Sequence, residues 1–195
     1  MTGLKEALIK HFGFSETEWE LTAQHFTAET LEAKKHFLKE GEIASKLGFV
    51  KNGLLRSYYY NDDAKDITLQ FFTKGTVVIS ADSFNNKVPA IENIVAYETT
   101  ELLTITCDKM EELYAKVPRW QLICKDVADL KNKNLLDRTR EFQTLTATER
   151  YQNFCEQYPR VIMKVPLSHI ASYLGIDIAT LSRLRKKQFQ SVERN

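Results

Sequence analysis

Hydrophobic and polar positions change their period several times along this chain. Ser15-x-x-Glu18 has the form of a capping box and predicts a short helix over Glu16 to His25. From Thr30 to Thr106 short apolar runs alternate with turn residues such as Glu40-Gly41-Glu42, Asn61-Asp62-Asp63 and Gly75. That rhythm predicts a series of short strands closing a sandwich or barrel. Asn52-Gly53, between Phe49-Val50 and Leu54-Leu55, predicts a type I′ hairpin. From Asp108 the period becomes helical, with a short helix to Val117 that Asp108 and Glu111 are placed to cap. Pro118 suits the first turn of a longer helix. There Trp120, Ile123, Val127, Leu130 and Asn134 recur at three- and four-residue steps, the seam of a coiled coil. Asn134 is the polar residue that would fix register in a two-stranded pairing; the alternative is that the stripe packs on the chain's own β-region. Thr146-x-x-Glu149 opens another helix, which Tyr158-Pro159 ends, and Arg160 to Val165 reads as extended.

The segment Val165 to Lys187, VPLSHIASYLGIDIATLSRLRKK, has the spacing of a helix-turn-helix. Ile170, Leu174, Ile176, Leu181 and Leu184 supply the apolar contacts, and Ala171 is small where two helices must touch. Gly175 falls where the backbone must turn left-handed. Asp177 is a natural N-cap for the second helix. If Leu181 and Leu184 face inward, the outer face holds Ile178, Ala179, Ser182, Arg183 and Lys186. Arg183 is the candidate for bidentate reading of guanine, while Ile178 and Ala179 could meet only a thymine methyl. Ser168, Asp177 and Thr180 complete the DNA-facing set, with Ser168, Thr180, Arg185 and Lys187 suited to phosphate. The basic run also complements a helix dipole whatever its function. His169 is expected to be a solvent-exposed helix residue.

Composition narrows the classes. Hydrophobic residues make up 43% and charged residues 27% of 195, as in soluble globular domains. The net charge of +1 conceals an asymmetry: residues 142–195 carry eight Lys/Arg against four Asp/Glu, so residues 1–141 are net acidic by three charges. Cys107, Cys124 and Cys155 are odd in number and far apart, which argues against a disulfide framework or thiolate cluster. MTGLKEALIKHFGF contains Glu6 and no long apolar run, so neither a signal peptide nor a membrane anchor is expected, and the expected location is cytoplasmic. No nucleophile–base pair, P-loop or metal-ligand spacing points to an enzyme, and Asp62-Asp63…Asp66 reads as a solvated turn. No catalytic or metal-binding residue is assigned.

The order of these elements, the Asn-Gly turn, a strand ending in Ile105-Thr106-Cys107-Asp108-Lys109, a Pro-led long helix and the C-terminal motif resemble the CRP/FNR superfamily of bacterial transcription regulators. The resemblance implies an α+β chain with three parts. Residues 1–117 would be an N-terminal antiparallel β-roll (a double-stranded β-helix of the cyclic-nucleotide-binding, cupin-like kind) with flanking helices. Residues 118–145 would be a long dimerisation helix and linker, and 146–195 a helix-turn-helix DNA-binding domain. It further implies a homodimer on a two-fold symmetric promoter, with double-stranded DNA, RNA polymerase and a small-molecule effector as partners and no membrane. The chain departs from the family in two places. VVISADSFNNKVPAIEN, where relatives that bind cyclic AMP carry a Gly-Glu pair and an arginine, has neither, so cyclic AMP is not the expected effector. An iron-sulfur cluster is also not expected, since the first cysteine is Cys107, and four scattered histidines form no pair that argues for haem. No cofactor or effector-binding residue is assigned. Only Gln188 to Asn195 follow the second helix, too few for the β-hairpin wing of many members. A regulator that binds DNA is the leading expectation; the alternative is a ligand-binding signalling module whose C-terminal unit mediates protein contacts.

Overall fold

A computed structural model of the chain describes the backbone over residues 2–192 and the side chains over 3–187. Helices α1 (Thr2–Phe12) and α2 (Glu16–Ala23) precede strands β1 (Thr27–Leu31), β2 (His36–Leu38), β3 (Lys46–Asn52), β4 (Leu54–Tyr60), β5 (Asp66–Thr73) and β6 (Val77–Val78). Helix α3 (Ala81–Asn86), β7 (Asn93–Ala96) and β8 (Thr100–Thr106) follow. The rest is helical: α4 (Cys107–Lys116), α5 (Arg119–Thr144), α6 (Ala147–Gln157), α7 (Pro159–Lys164), α8 (Leu167–Leu174) and α9 (Ile178–Val192). Both capping boxes form, Ser15 with Glu18 and Thr146 with Glu149. Helix α4 is capped two residues earlier than expected, by the Thr106 hydroxyl rather than by Asp108 and Glu111. Helix α1 had no strong sequence signal.

The strands form two four-stranded sheets, ordered β1-β8-β3-β6 and β2-β7-β4-β5. This is the expected β-roll, although one connection is not what its dipeptide suggested. Strands β3 and β4 belong to different sheets, so Asn52-Gly53 is a corner and not a hairpin. Asn52 does not adopt the positive φ that a type I′ turn needs at both central positions, whereas Gly53 does, at +115°. Gly53 is fixed from a distance: a Cβ there would lie 2.7 Å from the Thr100 Cα. The hairpin of this region is the next one, β4–β5, closed by Asn61 N–H on the Lys65 carbonyl (3.1 Å) and Lys65 N–H on the Asn61 side chain (2.9 Å).

Strand β8 shows how the roll acquires two cores. Its side chains alternate, so Leu102 enters the roll interior with Val50, Leu55, Phe72 and Ile94. Leu103 and Ile105 point the other way, into a helical layer built on Leu8, Trp19, Leu113 and Trp120. That second core corrects the seam proposed for the long helix. Trp120 (5% exposed) and Ile123 (6%) are buried in it, and the Trp120 indole N–H donates to Thr22 Oγ1 at 2.9 Å. Val127 packs against the same cluster. These three serve the chain's own core, as the alternative had it, while Leu130 (59%) and Asn134 remain exposed.

The chain divides into two compact units, residues 1–57 with 71–131 and residues 58–70 with 132–195. This differs from the sequence division at 117 and 145: the tip of the β4–β5 hairpin and the second half of α5 group with the C-terminal helices. Two further expectations change. Arg160 to Val165 is mostly helical, because Pro159 starts α7 at a first-turn position and Val161 is fully buried. Helix α9 continues through Val192, so most of the segment considered for a wing is helical, and residues 193–195 lie outside the described residues. Among the described residues no helix is long and apolar enough to cross a membrane.

Candidate nucleic-acid interface

The helix-turn-helix is built from local signals that agree. Ile170, Ala171 and Leu174 of α8 and Leu181 of α9 are buried together with Tyr151 and Phe154 of α6 and Val161 of α7. Gly175 ends α8 at φ +63°, with its N–H and that of Ile176 returning to carbonyls of the last turn. Asp177 caps α9: its carboxylate accepts the Thr180 N–H (2.8 Å) and the Thr180 hydroxyl (2.6 Å). Those bonds, with the nearby Arg183 charge as a lesser cause, hold the Asp177 carboxyl below its ordinary value of 3.8.

Longer-range contacts fix this motif. Arg138 on α5 donates through Nη2 to the Tyr173 carbonyl (2.9 Å), and its guanidinium lies 4.1 Å from the Tyr173 ring centroid. Arg150 on α6 donates through Nε to the Leu174 carbonyl (3.3 Å) and through Nη1 to Leu145 (2.8 Å). Two cations therefore satisfy carbonyls at the C-terminus of α8, where the helix leaves acceptors unpaired and its dipole is negative. Phe142 sits close to both, 5.4 and 5.1 Å from the guanidinium carbons of Arg138 and Arg150. Its ring also fills the space beside Gly175, where a Cβ would lie 2.7 Å from Phe142 Cε1. Sequence inspection did not find Arg138, Phe142 or Arg150, because each acts on a partner far away along the chain.

The hairpin tip is held within the same unit. Ser172 Oγ accepts the Thr68 N–H (2.9 Å) and donates to the Asp66 carbonyl (3.2 Å), and Arg138 Nη1 donates to the Leu69 carbonyl (2.6 Å). His169, expected in solvent, is half-buried with Nε2 3.9 Å from an Asp66 carboxylate oxygen.

Of the ten DNA-facing candidates, Ile178, Ala179, Ser182, Arg183 and Lys186 are exposed and fall on one side of α9. Lys187 is exposed beside them, Asp177 is exposed at the start of the helix, and Ser168 is exposed on α8. Thr180 and Arg185 are half-buried, and the Arg185 charge acts on the Tyr151 phenol, which burial pushes up to about 12. Arg183 lies along its own helix, Nη2 on Thr180 Oγ1 (3.0 Å) and Nε on the Ala179 carbonyl (3.3 Å).

In the β-roll, the stretch that lacked a Gly-Glu pair and an arginine forms β6, α3 and the approach to β7. Ser83 there accepts the Ala44 N–H (2.8 Å) and donates to the Val88 carbonyl (2.6 Å), so its hydroxyl serves the fold. A cation that sequence inspection overlooked lies nearby. Lys131 of α5 places its ammonium 6.0 Å from the Phe72 ring centroid and 3.5 Å from the Ile79 carbonyl. Burial lowers its pKa, and the Glu92 charge opposes that shift.

Residues 28–117 match the family model of the cyclic nucleotide-binding domain. No curated protein matches the chain in sequence. Among solved structures, it is similar to CLP, the c-di-GMP-responsive global regulator of Xanthomonas campestris (17% identity, TM-score 0.69, covering 91% of this chain and 93% of that one). It is also similar to FixK2 from Bradyrhizobium japonicum (17%, TM-score 0.74, 85% of each chain). A third is a protein from Eubacterium rectale assigned to the CRP/FNR family of transcriptional regulators (15%, TM-score 0.68, 92% and 86%). Each likeness spans 85% or more of this chain, so it takes in more than the β-roll. This chain therefore shares the fold of these proteins, and its β-roll lies in the stretch that matches the cyclic nucleotide-binding domain.

Proposed function

We propose that this chain is a sequence-specific DNA-binding transcription regulator, a binding protein and not an enzyme, that acts in the cytoplasm as a homodimer on a two-fold symmetric promoter site. One observation carries this. Behind a left-handed glycine turn, α9 exposes Ile178, Ala179, Ser182, Arg183 and Lys186 on one side and buries Leu181 on the other. Such a face suits the major groove, with Arg183 for guanine, Ile178 and Ala179 for thymine methyl groups, and Ser168, Asp177, Thr180, Ser182, Arg185, Lys186 and Lys187 around the backbone and base edges. RNA polymerase and a small effector are the further partners proposed from the resemblance. The effector we favour is not cyclic AMP: Ser83 is engaged by the fold and no arginine lies in 77–93.

Selection of bound duplexes from a random pool by the purified protein tests this function. The expected product is a palindrome with half-sites about 34 Å apart, one helical turn. Arg183→Ala is expected to weaken binding to it by roughly 1–3 kcal/mol and to relax one base pair per half-site. An enriched pool without any consensus would overturn the proposal.

A further inference from the structure

We infer that Thr180 is a positioning residue that sets which edge of the Arg183 guanidinium meets the base, through a hydrogen-bond relay that begins at Asp177. The inference rests on the DNA-reading role proposed for Arg183. A carboxylate only accepts hydrogen bonds, so the 2.6 Å contact between Thr180 Oγ1 and Asp177 Oδ2 commits the hydroxyl proton to Asp177. The hydroxyl then offers only lone pairs to its other neighbour, Arg183 Nη2 at 3.0 Å, a donor with no acceptor capacity. Polarity along the chain is thereby fixed: arginine donates to threonine, and threonine to aspartate. The Thr180 N–H on Asp177 Oδ1 (2.8 Å) holds the carboxylate in place for this relay.

The consequence lies in which donors remain. Guanidinium has five N–H groups in a rigid planar fork. Here Nε is turned to the Ala179 carbonyl (3.3 Å) and one Nη2 hydrogen to Thr180, which occupies the side edge of the fork. Nη1 and the second Nη2 hydrogen are left as a parallel pair at the tip. That end-on pair matches guanine O6 and N7, and an arginine already ordered on its helix loses less side-chain freedom on binding.

Three variants test the relay, read as the ratio of affinities for the selected site and for the same site with the Arg183-dependent guanine replaced. Thr180→Val removes the hydroxyl and keeps the branched shape, so the ratio should fall roughly tenfold, towards that of Arg183→Ala. Thr180→Ser should restore most of it. Asp177→Asn keeps a good N-cap but lets the amide donate to Thr180. The hydroxyl proton then turns towards Arg183, so this ratio should also fall while thermal stability changes little. A merely structural or phosphate-binding role for Thr180 predicts a loss uniform across sequences with the ratio unchanged. That result, in Thr180→Val and in Asp177→Asn, overturns the relay and leaves the DNA-reading function standing. A wild-type protein that selects a consensus without guanine overturns the relay together with the Arg183 assignment, and one that selects no consensus overturns the DNA-reading function as well.

Discussion

Gly175 carries two constraints at once, and they can be separated. Its φ of +63° costs an L-residue about 1–2 kcal/mol. A Cβ there would also press on Phe142, itself 41% exposed and packed beside two guanidinium groups. Gly175→Ala is therefore expected to destabilise the chain in urea unfolding by more than that backbone figure, and by only about that figure in a Phe142→Ala background. Equal losses in both backgrounds would mean that the ring yields without cost. Lys131 makes a residue-scale prediction of another kind. Burial lowers its folded-state pKa below the ordinary 10.5, so the unfolded chain holds the proton more tightly. Stability then rises with pH across the interval between the lowered value and 10.5. Lys131→Met should be more stable than the natural chain at pH 7, by about 2–4 °C in Tm for each kcal/mol relieved, and the gap should close as pH approaches 10.5. A gap independent of pH would place its origin elsewhere than in the buried ammonium.

Among the elements, β5 poses the problem that its position in the sheet creates. It ends the order β2-β7-β4-β5, and an edge strand presents unpaired N–H and C=O groups. Ser172 of α8 answers with one hydroxyl that accepts from Thr68 and donates to Asp66, and Arg138 adds a donor for Leu69. Ser172→Ala removes both bonds of that hydroxyl, with an expected cost of about 1–3 kcal/mol and faster hydrogen exchange at the Thr68 amide. Unchanged protection at Thr68 would show that the edge is covered by other means. The helix-turn-helix was legible because Ile170, Ala171, Gly175, Asp177 and Leu181 signal by local spacing alone. Asn52-Gly53 misled because a hairpin and a sheet-changing corner share the dipeptide, and Thr100, 47 positions away, decides between them. Val161 and Ile162 favour strand by intrinsic preference, yet Pro159 and the burial of Val161 make α7 helical. Arg138 and Arg150 left no trace in the sequence because their acceptors are carbonyls of α8, brought near only by the fold.

For the whole molecule, the apolar stripe of α5 bears on assembly, and burial decides which of its side chains can carry it. An amphipathic helix reads alike whether its partner is its own domain or a second copy. Trp120 and Ile123 are buried in the chain's own core and the half-buried Val127 packs against it, so Val127→Glu would confound folding with association. Leu122 (62% exposed), Leu130 (59%), Leu135 (63%) and Leu136 (70%) remain uncovered along 15 residues of one helix, with Asn134 among them. Leu122, Leu130 and Leu136 fall within about 120° of one another around the helix, with Leu135 outside that arc. Leaving those three in water forgoes roughly 1.5–3 kcal/mol for each that could be fully buried, enough in sum to drive pairing once ordering costs are met. The proposed dimer should therefore tolerate charge at Val127 no better than the fold does, yet separate cleanly when charge is placed on the exposed leucines. Leu130→Glu/Leu136→Glu is expected to sediment as a monomer with an unchanged far-ultraviolet spectrum and a retained β-roll Tm. Its binding to a palindrome should fall to that of a single half-site, with the slope of log affinity against log salt reduced by about half as half of the phosphate contacts are lost. A variant that sediments as a dimer would place the interface on another surface. A monomer that binds the full palindrome as tightly as the natural chain would remove two-fold symmetry from the proposed function.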